Sequence, residues 1–361
     1  MKDLAIRVLV AALVVVFDHA ASSQTKPAWV NVTGNLAYQP SACGNLALLS
    51  AMPGSTAVIA GVVMRGLWMN PGDSKWAALG TDAGSQRIWN GTTSIQYDPE
   101  NTDVFWESGI YHGPGVYRTN DKGRTFKQLG AVAHNDYVSI DFTDAKRRTL
   151  LAGGHESPQT VHLSTDGGET WTNIGQNLPP TSGASTNPMV IDATTYVVNA
   201  FGSGSSGGIY RTVDSGASWL RVASQGPAGA PLVAKSGVIY WAYRNSIVLS
   251  TNRGRSWSQA GAGLREIAPV EIPDGRIVSV STENSLVLSG DGGETWTPIG
   301  PPLPYTPLGL IYSAGRGAFL IWRSDCGDIV QPNAIMSLDM TFAAPATPPK
   351  RLIPPAPSLK H

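Results

Sequence analysis

Between residues 107 and 156 the sequence gathers Glu107, Tyr111, His112, His134, Asp136, His155 and Glu156. Cleaving a glycosidic bond needs a group that hands a proton to the leaving oxygen and a second group that acts as base or nucleophile, about 5–9 Å away. Glu107, Asp136 and Glu156 offer carboxyl groups for those two roles, and His134 or His155 can orient them or carry the proton. An eliminating enzyme would instead pair a base such as His112 or His134 with Tyr111 as the acid. Arg65, Arg244 and Arg323 form a second set. They sit at matching points of similar segments, and guanidinium groups pair bidentately with carboxylates. Tyr243 and Trp322 precede two of them directly.

These residues need elements to hold them, and the sequence repeats itself in a way that says which. STDGGETW at 164–171 returns as SGDGGETW at 289–296, with drifted copies TNDKGRTF (119–126), TVDSGASW (212–219) and STNRGRSW (250–257). The frame is Ser/Thr-x-Asp/Asn-x-Gly-x-Ser/Thr-aromatic, with Asp121, Asp166, Asp214, Asn252 and Asp291 at its centre. A worn copy, MNPGDSKW, ends at Trp76. The carboxylate or amide oxygen can accept bonds from backbone N–H groups further on, and the Gly takes a backbone angle other residues adopt with strain. The frame is therefore a tight turn between strands. Its aromatics fall at 76, 126, 171, 219, 257 and 296, a spacing that suits one four-stranded antiparallel sheet per repeat.

This frame resembles the Asp-box (BNR) repeat of sialidases, xyloglucan-cleaving hydrolases, sortilin-type receptors and photosystem assembly factors. The resemblance implies an all-β, single-domain β-propeller. TAVIAGVVM, DVFWESGIY, TLLAGG, TYVVNAF, GVIYWAY, GRIVSVS and GAFLIWR each read as the second strand of a blade, which gives seven blades, with six as the alternative. PAWVNVTGNLA (27–37) matches ETWTNIGQNLP (169–179) at Trp29, Asn31 and Leu36, so the N-terminal segment is expected to close the ring as the outer strand of the last blade. In such a ring the Asp-box turns join strands 3 and 4, and the candidate site residues lie on the opposite face, in the 2–3 loops and the inter-blade loops. The resemblance also implies that the three arginines bind a carboxylate as the arginine triad of sialidases does. The Arg-Ile-Pro motif of sialidases is absent; the nearest letters are Glu271-Ile272-Pro273.

Residues 1–23 have the form of a secretory signal: a charged start, the apolar run VLVAALVVVF at 8–17, then small residues. No segment approaches the roughly 20 apolar residues that cross a bilayer. A secreted or periplasmic protein is expected, with residues 24–342 as the propeller and 343–361 as a Pro-rich tail. In that setting Cys43 and Cys326 are expected to form a disulfide across the seam rather than a metal site. Lys plus Arg number 26 and Asp plus Glu 26, so no basic field attracts nucleic acid. No cofactor or metal motif is present. The expected protein is a monomer whose funnel face takes a carbohydrate as a glycoside hydrolase or lyase, or a protein partner as a binding or assembly module. Asn31-Val-Thr33 and Asn90-Gly-Thr92 match the N-glycosylation triplet.

Overall fold

A computed structural model describes residues 26–37, 46–73, 75–201, 205–324 and 333–343. Among them the strands form seven four-stranded antiparallel sheets, the blades of a β-propeller. Blade 2 shows the pattern. Its strands Gly91–Tyr97, Phe105–Ile110, Val116–Thr119 and Lys127–Gln128 pair in chain order. Blade 3 repeats it with Asn135–Ile140, Leu150–Gly154, Val161–Ser164 and Thr172–Asn173. All seven second strands lie where the apolar runs predict, from Val58–Val62 to Ala318–Arg323. Blade 7 takes its outer strand from Val30–Asn31, paired antiparallel with Ser337 and Met336 of Ala334–Asp339.

The second strands are apolar on both faces because each blade is sandwiched between two neighbours. All five residues of Val58–Val62 and of Leu150–Gly154 are buried. The core is therefore divided among the blade junctions. Trp106 and Val116 of blade 2 pack with Val138, Leu150 and Ala152 of blade 3. Leu46, Val58 and Trp76 of blade 1 pack with Leu320 and Ile335 of blade 7.

The five turns carry one hydrogen-bond scheme. In blade 3, Ser164 Oγ donates to Asp166 Oδ1 at 2.8 Å, Thr170 N donates to the same oxygen at 3.0 Å, and Thr170 Oγ1 donates to Asp166 Oδ2 at 2.6 Å. Gly168 N donates back to Ser164 Oγ at 2.8 Å. Two successive residues are left-handed, at φ 80° and 97° for Gly167 and Gly168, which is why the best-kept copies read Asp-Gly-Gly. In the Asn252 copy the bond to the hydroxyl four residues on reverses, and Asn252 Nδ2 donates to Ser256 Oγ at 2.8 Å. At the worn copy Trp76 is buried, and its N–H donates to Asn35 Oδ1 at 2.8 Å. Of the two glycosylation acceptors, Asn90 is buried and Asn31 is exposed.

Among the described residues no helix is long and apolar enough to cross a membrane. Cys43, Cys326 and residues 1–23, read above as a seam disulfide and a secretory signal, lie outside the described residues, as does the tail from residue 344.

Candidate functional site

A cavity of about 570 Å³ opens at the hub, on the face where inner strands begin and second strands end. Its wall is built from the first residues of inner strands, among them Leu46, Gly91, Asp136, Ser185 and Gly229. The 2–3 loops add Tyr111, His112 and His155, and Phe201 and Leu308 complete the rim. Antiparallel pairing places these loops together: Asn135 pairs with Gly154, so His134–Asp136 and His155 meet at one end of blade 3.

There the side chains form a chain of hydrogen bonds. Asp136 Oδ1 lies 2.8 Å from His155 Nδ1, and His155 Nε2 lies 3.0 Å from Tyr111 Oη. An ionised carboxylate only accepts, so Nδ1 of His155 carries the proton and Nε2 presents its lone pair to the tyrosine hydroxyl. Glu156 Oε1 stands 3.8 Å from the same Nε2. Its own backbone N–H donates to Ser185 Oγ at 2.9 Å. His134 packs against both rings, with centroids 4.7 Å from Tyr111 and 4.8 Å from His155. Its Nδ1 accepts the Tyr111 backbone N–H at 3.2 Å, which puts the ring proton of neutral His134 on Nε2 and makes it a donor toward the site.

Burial, helped by the charge of Glu156, pushes the Tyr111 hydroxyl above its ordinary range, so it keeps its proton. Burial, together with the neighbouring His155, lowers His134, which stays neutral near pH 7. Burial raises Asp136, opposed by His155. Tyr111, His112, His134 and Glu156 all have left-handed backbones, with φ between 49° and 60°. Non-glycine residues adopt this conformation at a cost, and it clusters at sites where geometry is imposed.

Ligand atoms of His134, His155 and Glu156 lie within 4.8 Å of one another, the one such group among the described residues. Of the three, His134 offers an ion no lone pair, because the Tyr111 N–H occupies its Nδ1 and leaves a proton on Nε2. His155 Nε2 presents its lone pair to the Tyr111 hydroxyl, which leaves the Glu156 carboxylate.

The other predicted residues lie elsewhere. Glu107 is fully buried in the second strand of blade 2 and is absent from the cavity wall. Asn90 Nδ2 donates to its Oε2 at 3.3 Å, and burial pushes its carboxyl up to about 8 against the pull of Thr92 and Asn90. The three arginines do not converge on the hub. Arg65 lines a groove with Asp82 and Arg87. Arg244 and Tyr243 line another with Phe201, Arg221 and Glu266. Arg323 stacks over Tyr305 at 4.9 Å. Trp322 is 5% exposed and packs into the junction of blades 7 and 1, out of reach of a ligand. For the arginines the reason is that matching positions fix which end of the blade a residue occupies, not whether its side chain turns toward the hub or the neighbouring blade. No sequence motif marks Phe201 or Leu308. Phe201 ends a second strand, in the register of Ile110 and Tyr243, and that position was the available signal.

No family model matches the chain. Over 170 residues, 43% of this chain and 21% of the other, it is 28% identical to the oligoxyloglucan-reducing end-specific xyloglucanase of Emericella nidulans. The GH74 xyloglucanase of Xanthomonas campestris superposes with TM-score 0.57 at 18% identity, over 86% of this chain and 55% of that one. YCF48 bound to a D1 peptide superposes with TM-score 0.53 at 14% identity, over 87% of this chain and 97% of that one. The chain thus spans about a fifth of the curated relative and about half of the xyloglucanase structure. The structural likenesses concern the fold.

Proposed function

We propose that this protein is an exported carbohydrate-active propeller that cleaves glycosidic bonds of an oligo- or polysaccharide at the hub cavity, as a hydrolase or a lyase. The observation that carries this reading is the position of His155 Nε2, 3.0 Å from Tyr111 Oη and 3.8 Å from Glu156 Oε1. Tyr111, held protonated, donates its proton to the leaving glycosidic oxygen. Glu156 takes a proton from water in hydrolysis, or from the sugar carbon in elimination. His155, oriented by Asp136, then returns a proton from Glu156 to Tyr111, and the cycle closes with no net gain. His134 Nε2–H adds a donor for the substrate. The similarity to two xyloglucanases supports a glycan as substrate.

The test is a panel of neutral and acidic glycans incubated with purified protein and its Tyr111→Phe and Glu156→Gln variants. Cleavage of at least one glycan is expected, reduced about 10²–10⁴-fold in each variant. Intact glycans throughout, or variants as active as the parent, would overturn the reading.

A binding or assembly propeller is the second reading. Its support is the likeness to the peptide-bound YCF48, over 87% of this chain and 97% of that one. A stable protein partner displaced by substitutions at Phe201 and Leu308, together with an inert glycan panel, would favour it.

A further inference from the structure

The hub cavity does not end at its rim. Phe201, 40% exposed, lines both that cavity and a second groove of about 440 Å³, shared with Arg221, Tyr243, Arg244 and Glu266. Phe201 is thus the residue common to the walls of both. Phe201 and Tyr243 supply aromatic surface, and the Arg244 guanidinium lies 5.3 Å from the Tyr243 ring centre.

The charges of the groove are unbalanced. Among the described residues neither Arg221 nor Arg244 makes an ion pair with a carboxylate. The one acid in the groove is already engaged by backbone, since Glu266 Oε1 accepts the Arg244 N–H at 2.7 Å. Arg221 gives one Nη2 bond to the Gly207 carbonyl and keeps its other donors. Two guanidinium forks beside aromatic surface, in a groove that shares Phe201 with the hub cavity, match an anionic sugar.

We propose that this groove is a subsite for a uronic-acid residue of the glycan that occupies the hub, with its carboxylate on Arg221 and Arg244 and its ring against Phe201 and Tyr243. This rests on the reading that the hub binds a glycan. A planar carboxylate suits the guanidinium fork bidentately. Sulfated sugars offer related oxygens, and the test separates the two.

The experiment is calorimetric binding with the full chain carrying Tyr111→Phe, so that binding is read apart from cleavage. The probes are oligogalacturonate, a sulfated oligosaccharide with no carboxylate, and a neutral xyloglucan oligosaccharide. Oligogalacturonate is expected to bind at least tenfold tighter than the other two, and more weakly as salt rises. Arg221→Ala and Arg244→Ala are each expected to weaken it about ten- to hundredfold, the scale of a charged hydrogen bond, at an unchanged melting temperature. Arg244→Lys recovers part of the loss, because it restores charge without the fork. Equal affinity for the neutral probe, preference for the sulfated one, no binding of any probe, or indifference to both arginine substitutions would overturn the proposal. Arginine-dependent uronate binding by a protein that cleaves nothing would leave this inference standing and remove the catalytic one. Cleavage that ignores both arginines would do the reverse.

Discussion

Asp136 Oδ1 and His155 Nδ1 stand 2.8 Å apart, at the start of one strand and just past the end of its neighbour. The contact decides which nitrogen of His155 faces Tyr111. An amide at position 136 can present its N–H₂ to Nδ1, which would move the ring proton to Nε2 and remove the acceptor for Tyr111. Asp136→Asn is therefore expected to lower the turnover of any glycan cleaved about 10²-fold or more, while the far-ultraviolet spectrum stays unchanged. Steady-state kinetics on the substrate identified by the panel checks this; a variant of parental rate would remove Asp136 from the relay.

Glu107 gives a prediction of the opposite kind, about stability and not turnover. Its carboxyl is pushed up to about 8 by burial, above the ordinary value of 4.5. Between those two pH values the folded chain holds a proton that the unfolded chain has released. Stability from this group is thus complete below about pH 4.5 and declines as pH rises toward 8. Glu107→Gln keeps the shape and cannot ionise. Its melting temperature, compared with that of the parent, is expected to gain steadily from pH 5 to pH 8, with activity retained. A constant difference across that range would show that Glu107 is ionised throughout.

The contrast between these residues explains how far the sequence could be read. Tyr111, His134, Asp136, His155 and Glu156 fall on one face because strand ends and loops follow from the alternation of apolar runs, and the structure brings them within hydrogen-bond or near-contact range. Glu107 sits inside a strand whose first five residues are all buried, so no alternation marks which face it takes. The arginines matched in position but not in direction, because Arg244 occupies a left-handed turn residue, with φ 49°, whose side-chain course depends on the next blade. Trp29, Asn31 and Leu36 were legible through their match to Trp171, Asn173 and Leu178. The cause is visible in both: Asn31 and Asn173 accept the N–H two residues on, a 3₁₀ turn follows, and Leu36 and Leu178 are buried.

The turn carboxylates set a limit at low pH. Hydrogen bonds, first from the Thr170 hydroxyl and then from its backbone N–H, hold Asp166 down to about 2. The unfolded carboxyl titrates near 3.8, so stability from this group is present above that value and is lost as pH falls through the folded one. Asp214 and Asp291 behave alike. Asn252 shows that the amide fits the same turn. Asp166→Asn is expected to melt near the parental temperature at pH 7 and to lose less stability than the parent between pH 4 and pH 2. Acid-unfolding curves followed by tryptophan fluorescence check it.

Gly153 permits the blade contact that supports His155. A Cβ there would stand 1.9 Å from the Thr186 carbonyl oxygen and 2.6 Å from Pro188 Cδ, both in the inner strand of blade 4. The backbone cannot yield as a side chain would. Gly153→Ala is expected to destabilise by about 1–3 kcal/mol or more. Gly84→Ala, which meets nothing within 4 Å, carries only the strain of its φ of 85°. Denaturant titration of the two variants separates the crowding cost from the conformational one.

Asp98 and Arg147 join blades 2 and 3 on the face opposite the hub cavity. Arg147 Nε and Nη2 reach the two Asp98 oxygens at 2.9 Å each, and Nη1 donates to the Phe142 and Asp144 carbonyls at 3.0 and 2.8 Å. Both side chains are nearly sealed, 5% exposed for Arg147 and 10% for Asp98. Removing Asp98 leaves the buried Arg147 with only the exposed Glu100 carboxylate, 3.1 Å from Nη2, and Asp98→Ala is expected to cost up to about 3–5 kcal/mol. The pair itself had to be desolvated, so replacing both residues recovers much of that loss. The Asp98→Ala, Arg147→Met double variant is expected to be more stable than Asp98→Ala alone. Arg147 holds the Asp98 carboxyl below the usual carboxylate range, so the pair's contribution is present above pH 4 and fades as pH drops further. Urea denaturation at pH 7 and pH 3 checks both statements. A double variant no better than Asp98→Ala at pH 7 would mean that Arg147 stabilises chiefly through the carbonyls of its own blade 3 loop, not through its ion pair with blade 2.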